Sequence, residues 1–292
     1  MPPVPPAILA FRRQVLRWFR RQGRDLPWRR TRDPWAVLVS EVMLTQTQVV
    51  RVIPKYEAFL ARFPSAAACA EAPAGEVVAL WSGLGYNRRA LNLHRTAVVV
   101  VDRHAGKVPD DLTALLDLPG IGPYTARAIL AFAHERDVGV VDTNAARVLA
   151  RWSGRALSPS EAQVVADDAV PAAGAWAWNQ AMLDLGATIC TARRPDCAAC
   201  PVRSHCRWAL DGFPEPDPGA RTGLPQSRFE GSDRQGRGRL VAALRHGPVP
   251  LAPLELAREM GWPDDPARAV RVAQGVVADG LAVRRAEQLH LP

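Results

Sequence analysis

The chain has 292 residues, enough for about two domains. Hydrophobic residues make up 48% and charged residues 23%, an ordinary globular composition that excludes a fully disordered chain. Lys and Arg number 37 against 29 Asp and Glu, for a formal charge of +8 and a pI of about 9.9; this favours a polyanionic partner, either nucleic acid or an anionic membrane surface. No apolar run approaches the ~18 residues of a membrane span, so no membrane partner is expected. The start of the chain is proline-broken and then arginine-rich, the reverse of a secretory signal. Five cysteines, four of them in one short stretch, point to metal in a reducing compartment, hence a cytoplasmic location.

In chain order, Ile8, Phe11, Val15, Trp18 and Phe19 recur at helical spacing and predict a helix over 7–22. Residues 1–40 hold nine arginines against Asp25 and Asp33. Pro34 opens a second helix expected to run to about Val50. Further helices are predicted over 54–63, 74–81 and 88–104, with a glycine loop at 82–87 and a break at 106–109. A short helix at 110–116, a tight turn at 118–123 and a helix at 124–134 follow. Asp142 caps the next helix, and two more are expected over 160–170 and 175–186. No convincing strand is found in residues 1–210, so the fold class is all-α. Residues 213–226 hold four prolines and two glycines and read as a linker. Beyond it, helices at 233–245, 253–260 and 267–279 precede two short strands at 281–285 and 288–291. Three helices and a wing suggest a small winged-helix-like α+β module over 227–292.

Cys190, Cys197, Cys200 and Cys206 have the spacing C-x6-C-x2-C-x5-C. Four thiolates within seventeen residues can close around one centre. A single CxxC with wide loops on either side suits a [4Fe-4S] cluster, with tetrahedral zinc as the alternative. Arg193, Arg194, Arg203 and Arg207 interleave the ligands and could lie against phosphates. Cys69 stands apart in an alanine-rich stretch as a small core residue.

The string Leu118-Pro-Gly-Ile-Gly-Pro-Tyr-Thr-Ala126 joins two helices. Its glycines, Gly120 and Gly122, let the backbone turn sharply, with Leu118, Ile121 and Thr125 around them. The amides that open the following helix then face outward with the helix dipole behind them, a phosphate site that reads no sequence.

With V-D-T-N at 141–144 and the cysteine loop, this hairpin resembles the endonuclease III, or helix–hairpin–helix, superfamily of base-excision DNA glycosylases. The strings 26–29 (LPWR), 40–44 (SEVML), 81–86 (WSGLGY) and 179–187 (NQAMLDLGA) make the chain most similar to its adenine-excising branch. The resemblance covers roughly residues 10–210. It implies an iron–sulfur cluster domain over 1–28 and 137–212 and a six-helix barrel with the hairpin over 29–136. It also implies a monomer acting on double-stranded DNA with A:8-oxoguanine or A:G mispairs.

Cleaving a purine N-glycosidic bond requires a proton for the departing base and a negative charge facing the oxocarbenium ion. Glu41 and Asp142 are the candidate pair. Glu41 shares its helix with Val37, Leu38, Val42 and Leu44, so half-burial is expected, which raises a carboxyl pKa. The resemblance implies that Glu41 donates to adenine N7, that Asp142 steadies the cation and that Asn144 orients the site. Bifunctional members carry a Schiff-base lysine where this chain has Tyr124. The only lysines are Lys55 and Lys107, outside the motif, so a monofunctional, water-using enzyme is expected. The resemblance also makes Gln46 and Tyr86 the residues that wedge the duplex, and Leu26, Trp28 and Arg29 the lining of the base pocket. Thr45 and Asn87 depart from the pattern, which has Gln and often a second aromatic there. Only about 80 residues follow the cysteine loop, too few for the usual Nudix-like domain that recognises 8-oxoguanine. Two other readings remain open. One is a monofunctional thymine or uracil mismatch glycosylase of the same superfamily; the other is a non-enzymatic iron–sulfur DNA-binding regulator.

Overall fold

The computed structural model describes residues 6–220 and 228–292. The later part of the expected linker lies outside the described residues. The described chain forms two compact units, one of residues 6–37, 110–113 and 121–220, the other of 38–109, 114–120 and 228–292.

Helix α1 (Pro6–Gln22) opens the first unit, and α2 (Pro34–Leu44) leads out of it. In the second unit come α3 (Val49–Arg62), α4 (Ala66–Glu71), α5 (Ala74–Leu80) and α6 (Arg88–His104). The short α7 (Leu112–Leu116) precedes the hairpin, and α8 (Pro123–Phe132), α9 (Thr143–Ser153), α10 (Pro159–Ala169) and α11 (Ala175–Thr188) follow it. The cysteine loop ends in the four-residue α12 (Arg207–Leu210).

Two boundaries differ from the expectation. The second helix stops at Leu44, because Gln46 takes a left-handed conformation (φ 56°). Pro54 then lies inside α3 rather than at its start. A mid-helix proline costs ~3 kcal/mol. Burying Val52, Tyr56 and Phe59 on one face returns ~1.5–3 kcal/mol for each large apolar side chain, so the helix survives.

The core of the first unit lies between α1, α9, α10 and α11. Phe11 stacks on Trp152 at 4.6 Å and meets Trp178 edge-on at 5.4 Å. In the second unit α4, α5 and α6 pack together, and Phe59 bridges Phe63 and Trp81. Cys69 is fully buried on α4, and burial pushes its thiol up to about 12, as suits a core residue.

Helices α13 (Asp233–Leu244), α14 (Pro253–Met260) and α15 (Pro266–Ala278) form the C-terminal module with three short strands. These are β1 (Val249–Pro250), β2 (Val283–Arg285) and β3 (Gln288–His290), in antiparallel order β1-β3-β2. The expected two-strand wing thus gains a third strand. At two residues β1 carries no sequence alternation to detect, and only its pairing with β3, Val249 with Leu289 and Pro250 with Gln288, defines it. Among the described residues no strand lies before the module, and no helix is long and apolar enough to cross a membrane.

The module packs onto the helices of its own unit. The Gly75 amide donates to the Pro292 carbonyl at 2.8 Å. Gly280 lies against Leu91 and Arg95, and Asp279 pairs with Arg88.

Candidate active site

In the first unit Asp142 is the N-cap of α9, as its position after an apolar run predicts. Its Oδ1 accepts from the amides of Asn144 (2.8 Å) and Ala145 (2.7 Å), satisfying two orphan donors of the first turn. Its other oxygen, Oδ2, accepts from Asn144 Nδ2 at 2.7 Å. Asn144 is fixed in turn by Arg147, which donates to Asn144 Oδ1 (2.8 Å), to the Gly186 carbonyl (2.7 Å) and to the Cys190 carbonyl (2.7 Å). The carboxylate is therefore held on one oxygen by backbone and on the other by a side chain anchored to the cysteine loop. Arg147 carries no motif signal; it is found only because it sits one helical turn after Asn144.

Tyr124 is half-buried at the second position of α8. The N-cap of α8 is Gly122, which has no side chain to cap the first turn. Gly120 is left-handed (φ 76°), and a Cβ there would meet Asn92 at 2.6 Å; conformation and space both require glycine. Leu118, Ile121 and Thr125 are buried.

Leu26, Trp28 and Arg29 are all buried. The Arg29 guanidinium is taken up by Asp184, with two parallel bonds of 2.8 Å, and Arg24 pairs with the same carboxylate. Burial pushes the Asp184 carboxyl up, but Arg29 and Arg24 outweigh it and hold the group below its ordinary range. Arg29 thus anchors the LPWR segment to α11. Asp184 was not singled out in the sequence, although it lies within the 179–187 string.

The second unit carries Glu41, Gln46 and Tyr86. Glu41 is only 3% exposed, deeper than the half-burial expected, because α2 is buried along its whole run from Trp35 to Val42. Gln46 and Tyr86 are both left-handed, with φ of 56° and 47°, a strained state for residues with side chains. Tyr86 is 45% exposed. One guanidinium joins the two segments. Arg89 donates to the carbonyls of Val42, Met43 and Thr45 at the end of α2, to the Thr47 hydroxyl, and to the carbonyls of Leu84 and Gly85 beside Tyr86, all within 2.7–3.1 Å. Burial among them lowers its pKa to about 10. Sequence reasoning saw Arg89 only as part of an arginine excess, since its role depends on two loops being brought to one side chain.

The four cysteines line the wall of one cavity, together with Val148, Leu185, Trp208 and Arg151. Four thiols on the wall of one cavity are a donor set that fits an iron–sulfur cluster. Burial and the neighbouring thiols push Cys200 up to about 11 and raise Cys197 and Cys206. Arg151 supports the loop. It donates to the Thr191 carbonyl (2.8 Å) and Cys190 Sγ (3.4 Å), pairs with Asp217, and lies 4.7 Å above Trp208.

Residues 39–167 match the model of the HhH-GPD superfamily of base excision DNA repair proteins, and residues 190–206 match the iron–sulfur binding domain of endonuclease III. The adenine DNA glycosylase of Mycolicibacterium smegmatis is 43% identical over 279 residues, covering 94% of this chain and 93% of that protein. The chain belongs to the adenine DNA glycosylase family. The human member is 42% identical over 215 residues, covering 68% of this chain and 39% of its own length. A thermostable thymine-DNA glycosylase of known structure superposes with a TM-score of 0.67 at 30% identity, over 70% of this chain and 97% of that one. The mycobacterial match leaves too few residues over to exclude the C-terminal module, so the module is shared within part of the family. Like the family, the chain is a DNA-binding base-excision repair enzyme with the helix–hairpin–helix fold, and its cofactor is a [4Fe-4S] cluster. That cofactor resolves the zinc alternative.

Proposed function

We propose that the protein is a monofunctional adenine DNA glycosylase that hydrolyses the N-glycosidic bond of adenine mispaired with 8-oxoguanine or guanine and leaves an abasic site. The observation that carries this reading is the double anchoring of Asp142. An aspartate held on two amides and one carboxamide is a fixed negative charge, the group a sugar cation needs. Glu41, sequestered on α2, supplies the proton to adenine N7 and positions water. Tyr124 occupies the place of a Schiff-base lysine and contributes a hydroxyl, not an amine. Adenine leaves the stack at a cost of a few kcal/mol, with Gln46 and Tyr86 filling the duplex and Leu26 and Trp28 lining the base pocket.

Cys190, Cys197, Cys200 and Cys206 would hold the cluster, and Arg193, Arg194 and Arg203 of the same loop, all exposed, would meet phosphates. In this reading residues 1–28 and 137–212 form the cluster domain, 29–136 the barrel, 213–226 the linker and 227–292 the winged module. The protein acts as a monomer on nucleoid DNA in the cytoplasm. The thymine reading draws on the superposition with the thymine-DNA glycosylase; the higher identity over most of the chain favours adenine.

A panel of duplexes tests the proposal. Release of adenine opposite 8-oxoguanine and guanine is expected, with no covalent adduct on borohydride treatment. Release of thymine from T:G with none of adenine would overturn it.

A further inference from the structure

The C-terminal module holds ten arginines, and five of them pair with acidic side chains of the module itself. Arg237 pairs with Asp279, Arg268 and Arg271 with Asp233, Arg284 with Glu287 and Arg228 with Glu230. Such a surface is poor in cations for phosphate. One arginine reaches out of the module and into the rest of its unit. Arg245, the C-cap of α13, donates to the Val78 carbonyl at the end of α5 (3.1 Å), to Asn87 Oδ1 (3.2 Å) and, more weakly, to Ser82 Oγ (3.5 Å). Burial lowers its pKa.

These acceptors bracket the loop 82–87, which carries the left-handed Tyr86. The Gly85 and Leu84 carbonyls of that loop are held by Arg89, while Arg245 holds Ser82 and Asn87. Asn87 is one of the departures from the family pattern, and an aromatic ring there could not accept this bond. We infer that the C-terminal module braces the wedge loop, with Arg245 as a positioning residue that keeps Tyr86 ready for insertion at the mispair. The inference rests on the wedge reading of Tyr86.

Without the brace the Ser82 and Asn87 ends of the loop lose a fixed partner while Arg89 still holds Leu84 and Gly85, and the entropy of ordering those ends on binding is charged to the lesion complex. The chemistry at an already extruded adenine is not affected. Arg245→Met is therefore expected to lower the preference for A:8-oxoguanine duplex over matched duplex ~10-fold, with the single-turnover excision rate at saturating protein within ~3-fold of wild type. Arg245→Lys should recover part of the preference, and Arg258→Met, at an exposed position of the same module, should show none of the loss. Amide hydrogen exchange in the free holoprotein should rise across 82–89 in Arg245→Met and stay unchanged across 190–206.

Unchanged exchange in the loop would overturn the brace. So would a loss of affinity equal for all duplexes with a salt slope reduced by ~1, which marks a phosphate contact. Faster loop exchange with selectivity intact in both Arg245→Met and Tyr86→Ala would leave the brace standing as a contact and overturn the wedge reading that it serves.

Discussion

Replacing Asp142 by Asn separates the charge of this residue from its shape. The new amide keeps one oxygen, so the bonds to the amides of Asn144 and Ala145 survive and α9 stays capped. The loss of a negative charge at the helix start costs ~0.3–1 kcal/mol. The other oxygen becomes a donor facing the Asn144 amide group, which is itself a donor there. Asn144 relieves this by turning over, and Arg147 then loses its acceptor, at ~1.5 kcal/mol for a bond to a charged group. The expected destabilisation is thus about 2 kcal/mol. Catalysis loses far more. A full charge ~4 Å from a developing cation is worth ~4 kcal/mol at an effective dielectric near 20, or about a thousandfold in rate. Single-turnover release of adenine opposite 8-oxoguanine measures the rate, and calorimetry the stability. Asp142→Ser, which caps without charge, should fall as far. A rate within tenfold of wild type for either variant, with the fold intact, would refute the electrostatic role.

Glu41→Gln should reduce excision ~100-fold or more while leaving the melting temperature equal or higher, since an amide is easier to bury than a carboxylate; retained activity would show that the proton comes from elsewhere. Cys200→Ser should lose iron and visible absorbance and expose 190–206 to proteolysis, because the loop has no core of its own to hold it; full iron occupancy would remove Cys200 from the ligand set. Asp184→Asn should destabilise by ~3–5 kcal/mol at neutral pH, leaving the buried Arg29 guanidinium, and the partly exposed Arg24 beside it, without their anion. Because the folded carboxyl lies below its unfolded value near 4, its contribution is present above that value and fades as the pH falls through the folded one. The gap between wild type and Asp184→Asn should therefore close in acid; a gap independent of pH would refute the pairing.

Much of the chemistry was legible because it is local. The cysteine spacing, the hairpin string and the Asp142 cap each lie within a few residues, and short-range geometry dictates what they do. The helices read well for the same reason, from apolar periodicity and glycine stops. The miss at Val49–Arg62 shows the limit of that logic. Pro54 argued locally for a break, and the tertiary burial of Val52, Tyr56 and Phe59 on the same helix overruled it.

Sequence by itself determined the family, the cofactor and the residue types that chemistry requires, since motifs record what a site needs. Only the tertiary structure decided how those residues are held. Arg89 gathers carbonyls from two loops, Arg147 joins Asn144 to the Cys190 carbonyl, Arg29 spends its charge on Asp184, and Arg245 reaches back from the last module to Asn87. In a chain with 37 basic residues, nothing local distinguishes these arginines from those on the surface. Their partners lie tens to hundreds of residues away in most cases, and a guanidinium takes its role from whichever carbonyls and carboxylates the fold places around it.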